Sequence, residues 1–254
     1  MTVARKDAIW QDCQGERHVQ PMQCRAWRVV ESQEVIATLT LVDTLEEQDL
    51  LEQLLETTKP SRPQPERHYL LTTPFRYPPL KHGSRFGKRH EPSLFYAATS
   101  VSTALAETAY YRLVFLQGMT QPFANALNTE HTVFYVNVQC QRGIVLQAAP
   151  FDAYRSVLMA PADYAATQTL GAAMRVAGVE GFQYRSARDA ADGINVALFV
   201  PEVIRSNAPQ SATRWLCQTD ISGVVFRSAD EREPLKHFAR PQFLVDGNLP
   251  SPAL

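Results

Sequence analysis

Residues 75–111 read FRYPPLKHGSRFGKRHEPSLFYAATSVSTALAETAYY, a basic loop followed by a short apolar strand and the opening of a helix. The basic part begins slightly upstream. From Arg67 to His90 there are four Arg, two Lys and three His, with no acidic residue between Glu66 and Glu91. The whole chain carries a net charge of −1, so a window this one-sided points to a local anion site or a solvated loop, and away from a general nucleic-acid surface. Leu94-Phe95-Tyr96-Ala97-Ala98 has the apolar and aromatic character of a strand. Thr99, Ser100 and Ser102 then supply capping hydroxyls before Thr103-Ala104-Leu105-Ala106-Glu107 opens a helix. Leu105, Thr108, Tyr111, Arg112 and Phe115 recur at helical spacing, and Gly118 stops the run. Glu107 falls in the first turns beside Ala104 and Ala106. A carboxylate there either complements the helix N-terminus or, with small neighbours leaving room, meets a ligand.

Length and composition bound the remainder. A chain of 254 residues suits one large domain or two small ones, with core enough to fold without staples. Hydrophobic content of 45% with 20% charged residues excludes a disordered or membrane-embedded class. No apolar run reaches about eighteen residues, and the first residues lack the apolar centre of a signal peptide, so a cytoplasmic protein is expected. Cys13, Cys24, Cys140 and Cys217 are scattered, without Cys-x-x-Cys pairs or His at ligand spacing. That pattern predicts reduced thiols and no metal site.

Upstream of the basic run, Trp10, Trp27 and the alternating residues 35–42 predict a small packed element with a strand. Residues 44–59 form the clearest helix: Thr44 and Glu47 make a capping box, Leu50, Leu51, Leu54 and Leu55 a stripe, and Pro60 an end. Its acidic face is either solvated or a partner surface. Residues 61–65, rich in Pro, read as a linker. Downstream, strands are predicted at 132–139, 143–146, 179–184, 194–200, 215–217 and 224–226. A helix over about 163–177 closes at Gly178, while 152–164 reads as loop or weak helix. Strands mixed with few helices, without regular β-α alternation, predict an α+β fold.

In this order the pieces resemble the RES-domain family, bacterial toxins of toxin–antitoxin pairs that consume NAD and are named for an Arg, a Glu and a Ser. The resemblance rests on Phe75-Arg76-Tyr77, Ser84-Arg85-Phe86-Gly87, Phe95-Tyr96, Glu107 eleven residues past that Tyr, and Tyr184-Arg185-Ser186-Ala187-Arg188 followed by Asn195 and a strand. It covers roughly residues 69–201. Ser84-Arg85-Phe86 departs from the family's Gly-Arg-Trp, which leaves open which Arg does what. The resemblance implies an ADP-ribosyltransferase-like split β-sheet core with flanking helices. It divides the chain into an N-terminal extension with one amphipathic helix (1–62), an NAD-binding core (63–205) and C-terminal strands with a tail packing on that core (206–254).

The same resemblance implies cleavage of NAD at the nicotinamide–ribose bond, with ADP-ribose passed to water or inorganic phosphate, and a cognate Xre-type antitoxin that covers the pocket. NAD is then substrate, with neither metal nor direct nucleic-acid contact. Pyrophosphate is best met by the guanidinium fork, which makes Arg76 and Arg85 the phosphate candidates. Tyr96 offers a ring face to nicotinamide, and Ser186 a hydroxyl to the ribose or ring. Glu107 is placed to stabilise the oxocarbenium-like transition state and to hold the 2′-hydroxyl. Tyr184 and Arg188 flank the serine as further NAD-binding candidates. Transfer of ADP-ribose to a protein uses the same site with another acceptor. A non-catalytic binding module would use the basic loop to hold a partner.

Overall fold

The computed structural model describes residues 8–32, 66–77, 81–121 and 125–251, together with Thr44, Glu47, Leu50 and Leu54. The strand expected at 35–42, most of the helix expected over 44–59 and the linker at 61–65 lie outside the described residues. The Glu47 N–H donates to Thr44 Oγ1 at 3.2 Å, one half of a capping box.

Among the described residues eight strands form one mixed sheet: β1 (Gln20–Glu31), β2 (Phe95–Ala98), β3 (Leu127–Val145), β4 (Gly181–Arg185), β5 (Ile194–Leu198), β6 (Gln210–Thr219), β7 (Gly223–Ser228) and β8 (Lys236–Ala239). Their order is β1-β2-β5-β4-β3-β6-β7-β8, and β1 pairs a second time, with β3. Five strands therefore close on themselves. β1 meets β2 at Trp27↔Ala98 and runs antiparallel to β3 from Gln20↔Gly143 to Glu31↔His131. The other edge of β3 carries β6 as far as Tyr135 and β4 only from Gly143 onward. Between those points the sheet splits, and β3 belongs to both halves. With a few helices on its faces, the fold is α+β.

Two departures from the sequence reading concern length and membership. The runs at 132–139 and 143–146 are one strand, because β1 pairs with β3 on both sides of Gln141 and Arg142, across a register shift between Gln20 and Met22. β1 itself comes from the segment set apart as an N-terminal extension, yet it pairs along almost its whole length inside the sheet. A third departure is the helix Tyr69–Arg76 within the expected basic loop. Its Leu71 and Phe75, four residues apart on one face, pack with Phe95, and His68 caps it by accepting the Leu70 N–H.

The long helix Val101–Gln117 begins where Ser100 Oγ accepts the Thr103 N–H at 3.1 Å, and it ends at Gly118. Leu105, Ala109, Tyr110 and Leu113 are fully buried against Val133, Trp215, Val224 and Phe226. Burying each large side chain contributes about 1.5–3 kcal/mol, so packing rather than propensity fixes the helix. Leu113→Ala would remove about 2–5 kcal/mol of that anchorage. The Tyr110 hydroxyl donates to the Pro250 carbonyl, tying residues near the C-terminus across the helix.

The helix Ala165–Val176 packs against Phe182 and Tyr184 of β4 and Ala197 of β5, and Gln168 Nε2 positions the turn at 83–87 by donating to the His82 and Ser84 carbonyls. A Cβ on Gly171 would overlap the Phe86 carbonyl, so only glycine lets that turn approach so closely. Gly83, at φ +76°, makes the turn itself, and the Ser84 N–H donates to the Gly87 carbonyl at 2.8 Å.

Candidate active site

Strand alternation delivers the site. On β2, Phe95 points into one core while Tyr96 points to the opposite face. On β5, Val196 and Leu198 share the face of Phe95, so Asn195 and Ala197 share that of Tyr96. Asn195 lies opposite Tyr184 on β4 and Ala98 on β2. Glu107, one turn into the long helix, meets this face from above. Its Oε1 accepts Ser186 Oγ–H and Asn195 Nδ2–H, each at 2.6 Å. Hydrogen bonds to a carboxylate contribute about 1.5–3 kcal/mol each, so this is a fixed orientation. No protein donor among the described residues reaches Oε2.

Ser186 is wholly buried, just past the end of β4. Its Oγ also accepts the N–H groups of Arg188 and Asp189, both at 3.0 Å, so its single proton is directed at Glu107. Asp189 Oδ2 in turn accepts the Thr103 hydroxyl at 2.8 Å, which ties the loop to the first turn of the Glu107 helix. Two side chains thereby fix one carboxylate oxygen, and two backbone N–H groups fix one of those side chains in turn.

In front of Glu107 lies a cavity of about 490 Å³. Of the residues singled out in the sequence, Arg85, Tyr96, Glu107, Tyr184 and Arg188 line it. Ser186 sits behind Glu107, and Arg76, the last residue of its helix, is outside the lining. Arg85 Nη1 donates to the carbonyls of Leu158 and Ala160 at 3.1 and 2.8 Å, while its guanidinium lies 4.6 Å from the Tyr164 ring centre. One edge of the fork thus holds the wall, and the rest makes no further protein hydrogen bond among the described residues. Arg188 is 5% exposed, donates to the Pro161 carbonyl and stacks 3.5 Å over the Tyr110 ring. The Tyr96 hydroxyl bonds Ser84 Oγ at 2.9 Å and accepts the Phe86 N–H at 3.1 Å, so its polar end holds the basic turn while its ring borders the cavity. Burial raises its pKa, and burial with the neighbouring Glu107 raises that of Tyr184 well above the ordinary value.

Three further lining residues that were not among the site candidates bear on the chemistry. Arg28 on β1 donates to the Tyr96 carbonyl at 2.6 Å and stacks 4.7 Å over Phe95, and its Nε is buried without a partner. Burial lowers its pKa to about 10, which leaves it cationic at neutral pH. The signal was present: Trp27-Arg28 is an aromatic-Arg step of the same kind as Phe75-Arg76. Asn195 was visible as a motif position, though not as a partner of Glu107. Tyr111, one turn after Glu107, is 48% exposed as a residue, yet burial around its hydroxyl, with Tyr164 and Glu107 nearby, raises its pKa. Two guanidinium groups, those of Arg85 and Arg188, against one carboxylate make the cavity cationic, while Arg28 borders it from β1 with its guanidinium on Phe95.

Among the described residues no cluster of three or more His, Cys, Asp or Glu could hold a metal ion, and no helix is long and apolar enough to cross a membrane. The four cysteines are unpaired. No curated protein matches the chain. Among solved structures, the chain is similar to one from the crystal structure of the M. tuberculosis MbcT–MbcA toxin–antitoxin complex, at 12% identity and a TM-score of 0.46, covering 80% of this chain and 88% of that one. The RES domain matches residues 59–220, more than half of the sequence, and the chain belongs to the RES-domain family.

Proposed function

We propose that this protein cleaves NAD between nicotinamide and ribose and passes ADP-ribose to water or inorganic phosphate, acting in the cytoplasm as the toxin of a toxin–antitoxin pair that an Xre-type antitoxin silences. The observation that carries the reading is the Glu107 carboxylate, fixed through Oε1 by Ser186 and Asn195 and facing a cationic cavity through an oxygen that no protein donor among the described residues reaches. Membership of the RES-domain family supports it.

In this reading Arg85 and Arg188 hold the pyrophosphate, and the rings of Tyr96 and Tyr184 border the nicotinamide. The C1′–N bond breaks with both electrons leaving on neutral nicotinamide, and positive charge spreads over C1′ and the ring oxygen. Glu107 Oε2 accepts the ribose 2′-hydroxyl and stabilises that charge without reorganising, because its side chain is already held. An oxygen of water or phosphate then bonds to C1′ and releases its proton to solvent.

The test is nicotinamide release by the purified protein, beside NAD levels in cells after brief induction, for wild type, Glu107→Gln and Ser186→Ala. NAD loss confined to wild type is expected. Equal NAD in all three cultures with soluble protein present would sink the reading in favour of a binding module. Label from NAD appearing on a protein would favour protein ADP-ribosylation instead.

A further inference from the structure

A second cavity, of about 540 Å³, opens along the same helix. Its walls include Glu31 of β1, Arg112 and Phe115 of the helix, and Leu127 and His131 of β3. Val29, Thr108 and Tyr111 line both cavities, so the two adjoin across the Tyr111 ring.

Their charges differ. In the first cavity the guanidinium groups of Arg85 and Arg188 face one carboxylate. In the second, Arg112 is already paired with Glu31 at 3.0 Å. His131 is 2% exposed, and burial with the nearby Arg112 pushes its pKa down to about 4, so it is neutral under ordinary conditions. What remains is an uncharged space beside two aromatic rings on successive turns of one helix, Tyr111 at 48% and Phe115 at 55% exposure. Arg112 Nε and Nη2 are buried, so a phosphate entering here could reach that guanidinium only by displacing Glu31 from Nη1. A neutral flat ring needs no such displacement.

We infer that this second cavity is the subsite for the purine-nucleoside end of the substrate, with Tyr111 as the partition between the two ends. The inference rests on the dinucleotide reading of the first cavity. A dinucleotide has a charged centre between two ring systems, and the adjoining cavities offer a cationic space containing the catalytic carboxylate and a neutral aromatic one. Stacking on Phe115 and Tyr111 supplies affinity, while the Thr129 hydroxyl and the half-exposed Glu31 carboxylate border the space as polar handles for the base edge.

The test is an NMR titration of the full chain with adenosine and, separately, with nicotinamide mononucleotide, in wild type, Phe115→Ala and Leu127→Trp. The first variant removes an exposed ring and the second fills the cavity, so two opposite volume changes probe one space. Adenosine should bind wild type, weaken roughly tenfold in Phe115→Ala and be lost in Leu127→Trp, with nicotinamide mononucleotide unchanged within about twofold. KM for NAD should rise about tenfold in Phe115→Ala with kcat unchanged. Adenosine that fails to bind wild type, or binds all three proteins alike, overturns the inference, as does equal weakening of both ligands. The expected adenosine pattern in a protein that leaves NAD intact and ignores nicotinamide mononucleotide would keep the purine subsite and sink the NAD-cleavage reading.

Discussion

Glu107 and Arg112 lie five residues apart on one helix, and both are charged groups turned toward the sheet. Around Glu107 the protein supplies every partner that orientation needs: two donors on one oxygen, and behind them two backbone N–H groups and a tether to the helix start. Around Arg112 it supplies one carboxylate, Glu31, whose side chain is 55% exposed, and leaves Nε and Nη2 buried without partners. Burying a charge costs several kcal/mol unless geometry and hydrogen bonds offset it. The fold meets that requirement at Glu107 and only partly at Arg112. The difference separates a pre-organised carboxylate from a charge that the packing merely tolerates.

The comparison can be broken at either end. The largest effect is expected from Glu107→Gln, which keeps the shape but removes the charge. NAD cleavage should fall by about a hundredfold or more, while Tm moves by less than about 4 °C. A variant that stays active would show that Glu107 is held for structure alone. Ser186→Ala comes next. It takes one donor from Glu107 and leaves the N–H groups of Arg188 and Asp189 without their acceptor, so cleavage should fall roughly tenfold to a hundredfold, and urea unfolding should show a loss of about 1–3 kcal/mol.

At the Arg112 end the effects are on stability. His131 has a folded pKa of about 4 against an ordinary 6.5, so as pH falls through that window the unfolded chain takes a proton that the folded one refuses. Stability from this group is complete above pH 6.5 and is lost progressively down to about 4, by about 1–3 kcal/mol. Urea melts at both ends of the window should show the loss in wild type and a flatter profile in His131→Gln. Arg112→Met should have the smallest effect, within about 1 kcal/mol of wild type in either direction, because Glu31 reaches solvent once released. A loss of 3 kcal/mol or more in thermal or urea unfolding would show that Arg112 is as firmly built in as Glu107, and the contrast would fail.

Much of this was legible in the sequence because it is local. The Ser100 cap and Gly118 stop bracket the Glu107 helix, the aromatic-apolar run marks β2, and Gly178 closes the helix before β4. Each depends on a few consecutive side chains. The helix Tyr69–Arg76 was hidden because Thr72, Thr73 and Pro74, poor helix formers, separate the apolar pair Leu71 and Phe75. β1 was assigned to an extension because no local signal in residues 20–31 says that a strand will pair with residues more than a hundred positions away. Arg28 was missed because its aromatic-Arg step lies on that strand, outside the stretch that carried the resemblance.

The sequence by itself determined the family, the α+β class, and the identities of the carboxylate, the serine and most of the arginines around the cavity, because motif order and strand or helix period survive without tertiary contacts. Only the tertiary structure decided that Ser186 and Asn195 converge on one oxygen of Glu107, that Arg28 lines the cavity and Arg76 does not, and that a neutral cavity adjoins the cationic one. Those facts depend on which strands pair, in which register, and on where a helix lands on the sheet. Long-range packing sets all three.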